Sequence, residues 1–216
     1  MALADRRFAG AALATELAAR GYDHPIVFAL PRGGVPVGVE VAKALSAPLD
    51  LLLVRKIGVP GQEELAAGSI VDGEHPDLIL NEEIVRSVGM SREQIAAETQ
   101  RQLAEIERRR RLYLPGVAPL SAKGATAILV DDGVATGASM KAAVAAVRRR
   151  SPKRVVVAAP VAAPEIAAEL AALADEVVFL ATPARFGAVG FYYDDFHQLD
   201  DAEVIALLAE ARAAQR

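Results

Sequence analysis

The sequence predicts an α/β domain built on a doubly wound, mainly parallel sheet flanked by helices. Three observations predict it. Five short runs are apolar on both faces: residues 26–30 (IVFAL), 51–54 (LLLV), 127–130 (AILV), 155–159 (VVVAA) and 177–181 (VVFLA). Strands covered by helices on both faces of a parallel sheet have this composition. Ala-rich stretches of helical length lie between the runs, and such alternation marks βαβ units. The length of 216 residues fits one large domain, or one with a small added lobe.

Taken in order, residues 3–19 read as a leading amphipathic helix. The first strand, 26–30, passes through a Gly-rich turn into a helix at about 35–45. After the second strand, 56–64 (KIGVPGQEE) is rich in glycine and charge and reads as a mobile loop. Ser91 then opens a long helix to about residue 112, with Ser91 and Gln94 spaced as a capping box. Ile95, Leu103 and Ile106 share one of its faces. Arg108, Arg109, Arg110 and Arg111 end it. Two roles are open for them: solvation with favourable contact to the helix C-terminal dipole, or a phosphate or partner site. Residues 114–123, with Pro115, Gly116 and Pro119, read as a linker. The third strand, 127–130, leads to a helix at 137–150. The fourth leads to one at 164–173. The fifth is followed by a closing helix at 200–214, capped by Asp200 or Asp201. The reading is one domain over 1–216, carrying a flexible loop and helical insertion at 56–125 and a C-terminal hood and closing helix at 183–216.

Composition removes several chemistries. Cysteine is absent, which excludes disulfides, thiolate zinc sites and cysteine nucleophiles. His24, His75 and His197 are far apart and lack ligand spacing, against a histidine metal site. Lys+Arg of 24 against Asp+Glu of 28 gives a net charge of −4, against nucleic acid as a partner. No run reaches the roughly 18 apolar residues of a membrane span. Residues 1–20 carry Asp5, Arg6, Arg7 and Glu16 with no apolar signal core, so a cytoplasmic location is expected.

The informative segment is 127–140, AILVDDGVATGASM. A buried strand ends in two carboxylates, Asp131 and Asp132, and a turn of small residues opens a helix. Gly133, Val134, Ala135, Gly137 and Ala138 let backbone N–H groups approach an anion. Thr136 and Ser139 add hydroxyl donors, and the helix N-terminus adds its positive dipole end. This is a cradle for a monophosphate. Two carboxylates beside it need donors of their own, such as vicinal sugar hydroxyls or a divalent cation. A ribose 5-phosphate lies within reach of both.

This segment resembles the phosphoribosyl pyrophosphate (PRPP) motif of the type I phosphoribosyltransferases: four apolar residues, two acids, and a small-residue turn with Thr-Gly and a closing Ser or Thr. Two further segments share the resemblance. Residues 30–38, LPRGGVPVG, resemble the family's pyrophosphate loop, in which Arg32 would be the cation and Gly33 and Gly34 would allow close backbone approach. Residues 54–61, VRKIGVPG, fall where the family has a mobile loop that closes over PRPP, with Arg55 and Lys56 near the pyrophosphate.

The resemblance covers most of 26–182 and implies a five-stranded, mainly parallel sheet with a small hood over the acceptor base. It implies transfer of phosphoribosyl from Mg²⁺-bound PRPP to a nucleobase-like nitrogen heterocycle, with release of pyrophosphate. Asp131 and Asp132 would anchor the ribose hydroxyls, directly or through Mg²⁺; residues 133–139 would hold the 5-phosphate; Arg32 and Lys56 would stabilise the leaving group. The alternative is a PRPP-binding regulator without turnover. Ala135 stands where the 6-oxopurine enzymes carry an acid, which sets this chain apart from hypoxanthine–guanine enzymes. The Asp-Asp-x-x-Ala-Thr-Gly and Arg-Lys-x-Gly stretches look more like the adenine enzymes, although the chain beyond residue 61 does not follow them. That remainder is more similar to family members whose acceptor is not established. Phe191 and Tyr192 would either stack on the acceptor base or close the C-terminal lobe. His197, isolated in sequence, reads as a surface or packing residue. A homodimer, common in the family, is the expected assembly.

Overall fold

A computed structural model describes residues 2–73 and 75–214, the side chains of 63, 64 and 214 excepted. The chain runs α1 (Arg6–Ala18), β1 (Pro25–Ala29), α2 (Gly34–Ala44), β2 (Leu49–Leu51), β3 (Val54–Val59), β4 (Gln62–Val71), β5 (Asp77–Leu80), α3 (Glu82–Val88), α4 (Arg92–Tyr113), β6 (Thr126–Val130), α5 (Ala138–Arg149), β7 (Arg154–Val161), α6 (Pro164–Leu173), β8 (Glu176–Ala181), a 3-10 turn (Val189–Tyr192) and α7 (Asp201–Ala214). The apolar runs assemble into a five-stranded sheet in the order β2-β1-β6-β7-β8, parallel at each pairing.

Side chains alternate across this sheet as period-two geometry requires. Ile128 and Val130 of β6 face α1 and α2, packing with Leu13, Leu17, Val37 and Val41. Ala127 and Leu129 face the opposite layer with Met140, Val144 and Val147 of α5. The chain leaves β1 for β2 on one side and returns to β6 on the other. The strand order therefore reverses between β1 and β6. In open parallel sheets the crevice beyond the strand ends at that reversal is where ligands bind. Both the Gly33-Gly34 turn and the acidic pair emerge there.

Residues 56–64 are not the loop expected from sequence. They form most of a β-hairpin: β3 pairs antiparallel with β4, Val59 opposite Gln62, and Gly61 takes a positive φ of 78° at the turn. β5 completes a three-stranded antiparallel sheet. Ile57 and Val59 alternate inward and are buried against Ile106 and Tyr113 of α4. Gly58, Gly61 and the charges hide that alternation in the sequence. The second parallel strand is also displaced: β2 ends at Leu51, and Val54 already begins β3.

The long helix α4 starts with the expected capping box. Ser91 N–H donates to Gln94 Oε1 (2.8 Å) and Gln94 N–H to Ser91 Oγ (3.3 Å). At α7 it is Asp200 that caps, with Glu203 N–H donating to Asp200 Oδ1 at 2.8 Å and Asp200 N–H to Glu203 Oε2 at 2.8 Å. The four arginines ending α4 are engaged within the molecule. Arg108 and Arg109 bond Glu105, and Arg111 bonds Glu107. Arg110 donates to Asp50 (2.9 Å) and Asp72 (2.8 Å), whose side chains are only 2% and 3% exposed. It thereby fastens α4 to β2 and to the end of β4. Burial lifts the Asp72 carboxyl to about 6, although Arg110 and the Leu53 N–H pull it down. Among the described residues no helix is long and apolar enough to cross a membrane.

Candidate functional site

Asp131 and Asp132 leave the carboxyl end of β6, the most completely buried strand of the sheet. Asp132 N–H donates to Asp131 Oδ1 at 2.9 Å, so the pair shares one tight turn. Burial pushes both carboxyls above the ordinary carboxylate range, and repulsion from Asp132 adds to the effect at Asp131. Arg6 opposes this at Asp132: its Nε donates to Asp132 Oδ2 at 2.7 Å, with side chains 9% and 13% exposed. The Arg6 guanidinium also donates to the His197 carbonyl (2.9 Å) and lies 3.8 Å from the centroid of the Phe196 ring. Tyr193 stacks on Phe196 and donates its hydroxyl to the Asp132 carbonyl at 2.5 Å.

Arg6 and Tyr193 thus clamp Asp132 from the two ends of the chain. Neither was legible as a site residue, because their partner lies 126 and 61 residues away. One signal was present. Arg6 falls in phase with Ala9, Leu13 and Leu17, the buried stripe of α1. An arginine on an apolar stripe calls for a buried partner.

The Gly33-Gly34 turn lies against this pair. A Cβ on Gly33 would stand 2.0 Å from Asp132 Oδ2, and one on Gly34 would stand 2.6 Å from the Val130 carbonyl and 3.2 Å from Asp131 Oδ1. Only glycine allows the two segments to meet this closely. The Pro31–Arg32 peptide is cis. Arg32 is 3.9 Å from Asp201 Oδ1, which also accepts the Tyr113 hydroxyl at 2.5 Å. The first turn of α2 has no side-chain cap; its Gly34 and Val35 N–H groups donate to the Leu30 (3.0 Å) and Arg32 (3.1 Å) carbonyls, and Pro36 has none to donate.

Residues 133–139 wrap the start of α5. Val134 is pinned to β7 by its N–H to the Val161 carbonyl (2.9 Å) and by the Ala163 N–H to its own carbonyl (2.9 Å). Gly137 has a φ of +71°, and a Cβ there would meet Ile166 at 2.5 Å. The first turn of α5 also has no side-chain cap. Asp131, Gly133, Val134, Ala135, Thr136, Gly137, Ala138, Ser139, Met140 and Val189 line a recess of about 140 Å³. That is several times the ~30 Å³ share of a water molecule.

Arg55 and Lys56 project from β3. They line a cleft of about 490 Å³ with Glu98, Arg101 and Gln102 of α4 and with Ser139. Ser139 therefore borders both spaces. The Val189–Tyr192 turn packs on Gly133 through Val189, leaving Phe191 82% exposed. Tyr192 stacks on Phe186 and donates to the Arg185 carbonyl. His197 is exposed and held between Asp195 and Glu203, which raise its pKa.

Comparison with known proteins agrees with this geometry. Residues 5–195 match the phosphoribosyl transferase domain. A solved structure, TT1426 from Thermus thermophilus, is 46% identical and superposes with a TM-score of 0.81, covering 97% of this chain and 99% of that one. Two strains of Mycobacterium tuberculosis carry relatives under the provisional name phosphoribosyl transferase, 46% identical over 207 residues and 96% of this chain. The chain spans 46% of the length of those curated relatives. The match extends across the Gly33-Gly34 turn, the acidic pair and the small-residue loop alike, and the chain belongs to the phosphoribosyl transferase domain family.

Proposed function

We propose that this chain transfers phosphoribosyl from Mg²⁺-bound PRPP to a ring nitrogen of a nucleobase-like heterocycle and releases pyrophosphate. One observation carries the reading. The Gly33-Gly34 turn is pressed onto Asp131 and Asp132, while a recess lined by small residues begins at the next residue, Gly133. Diphosphate, ribose and 5-phosphate groups then fall on adjoining surfaces.

Residues 133–139 receive the 5-phosphate through the backbone N–H groups other than that of Val134, which β7 holds, with the Thr136 and Ser139 hydroxyls and the N-terminus of α5. Asp131 and Asp132 accept the two ribose hydroxyls. Arg32, Arg55 and Lys56 face the diphosphate. As the bond from C1 to the diphosphate oxygen breaks, negative charge collects on the leaving group and positive charge on the ribose. Fixed cations at one and carboxylates at the other stabilise both; the acceptor nitrogen closes the new bond to C1, and its proton passes to the released pyrophosphate or to solvent. Phe191 and Tyr192 are proposed to flank the acceptor ring.

The residues fit Mg²⁺ as a substrate-borne ion. Among the described residues no three His, Asp or Glu converge on a cation site, and one oxygen of Asp132 is already held by Arg6. Asp131, with the second oxygen of Asp132, would be the protein's contribution to holding the ion, directly or through water. When bound, the ion would neutralise charge on the leaving diphosphate.

The test is release of pyrophosphate from Mg²⁺-PRPP with a panel of purine and pyrimidine bases. Release that depends on one base supports transfer. Saturable PRPP binding with no release under any base identifies a PRPP-responsive binding protein instead.

A further inference from the structure

The cleft beside Ser139 contains three α4 side chains, Glu98, Arg101 and Gln102, that the transfer reading does not use. α4 supplies one of its walls. Glu98, only 8% exposed, accepts from Gln102 Nε2 at 2.6 Å and pairs with Arg101 at 2.5 Å. Gln102 Oε1 in turn accepts from Arg55 Nε at 3.0 Å. A buried carboxylate thus holds two arginines, one directly and one through an amide. Among the described side chains lining the cleft, Arg55, Lys56 and Arg101 are cationic and Glu98 alone is acidic. The N-terminal turn of α5 adds its positive dipole end at Ser139. An excess of fixed positive charge in a cleft of about 490 Å³ suits an anion larger than one phosphate.

We infer that α4 forms part of the leaving-group site: Arg101 contacts the diphosphate, and Gln102, braced by Glu98, is a positioning residue for Arg55. The inference rests on the PRPP reading and adds residues that lie outside all three motif segments. It also gives the long helical insertion a role in binding. The Arg101 side chain is 72% exposed, so its removal opens no cavity, and Glu98 keeps Gln102 as a donor.

The test is calorimetric titration with three probes in the presence of Mg²⁺: PRPP, inorganic pyrophosphate and ribose 5-phosphate. Arg101→Ala should weaken PRPP and pyrophosphate about tenfold, the scale of one lost charge-assisted hydrogen bond, and leave ribose 5-phosphate within about twofold. Arg101→Lys should recover part of the loss. Gln102→Leu should weaken the same two probes and leave ribose 5-phosphate within about twofold, a selectivity that a merely structural role would not give. Wild-type binding of pyrophosphate that Arg101→Ala leaves intact overturns the inference alone. Equal weakening of ribose 5-phosphate also overturns it, by placing the cleft at the 5-phosphate end. A wild-type protein that binds none of the three probes overturns the PRPP reading, and the inference with it.

Discussion

Gly33→Ala tests how tightly the diphosphate turn and the acidic pair are joined. Gly33 has φ −58° and ψ −36°, so alanine meets no backbone objection there. The effect is therefore purely steric. The added Cβ would stand 2.0 Å from Asp132 Oδ2, 2.5 Å from its Cγ and 2.9 Å from Oδ1. The carboxylate cannot rotate away freely, because Arg6 holds that same Oδ2 at 2.7 Å and Tyr193 holds the Asp132 carbonyl. Either the turn shifts, at the ~1–3 kcal/mol of an overpacked site, or the buried ion pair opens, at ~3–5 kcal/mol. The smaller route sets the expectation at about 2 kcal/mol. At ~2–4 °C per kcal/mol for a chain of this size, Tm falls by roughly 4–8 °C. The two halves of the site would also move apart, so PRPP affinity should fall about tenfold or more. Thermal denaturation and calorimetric titration read the two effects. Gly21→Ala is the control: its φ is +60° but nothing lies within 4 Å of the added carbon, so it should affect stability alone. A Gly33→Ala protein with wild-type Tm and wild-type PRPP affinity would refute the packing argument.

Three other substitutions separate binding from stability. Arg6→Met leaves Asp132 buried without its cation; a loss of about 3 kcal/mol in denaturant unfolding is expected, together with weakened PRPP binding. Asp131→Asn removes a carboxyl whose pKa burial raises in the folded protein. Such a group favours folding below its unfolded pKa and loses that contribution as pH rises, so the Asn variant should match or exceed wild-type Tm at pH 7, gain little at pH 4, and lose PRPP binding. Arg110→Met strands Asp50 and Asp72 and should lower stability by about 3–5 kcal/mol. Asp72 already sits at about 6 in the wild type, above the ordinary aspartate range, so its contribution is full below about pH 4 and lost as pH rises through 6. The Arg110→Met deficit should therefore shrink on acidification from pH 7 to 5; a pH-independent deficit would contradict the buried-cluster account.

The parallel sheet was legible because its strands are buried on both faces and read as unbroken apolar runs. The capping box at Ser91 and Gln94 was legible because it is local. The hairpin of β3 and β4 was not, since Gly58, Pro60 and Gly61 and the flanking charges interrupt the period-two pattern of Ile57 and Val59. The role of Arg110 was hidden for a different reason. Four consecutive arginines look alike in sequence, and only the approach of Asp50 and Asp72 from distant strands singles one out. The motif segments around Asp131, Gly33 and Arg55 could each be read, and the structure brings them to adjoining surfaces. What holds Asp132, namely Arg6 and Tyr193, comes from segments 126 and 61 residues away and has no local signature beyond the phase of Arg6 on its helix.

Titration of the wild-type protein with PRPP, with and without Mg²⁺, tests the central claim most directly. The account predicts saturable binding that strengthens with Mg²⁺ and disappears in Asp131→Asn. Absence of binding at millimolar PRPP with Mg²⁺ present would contradict it.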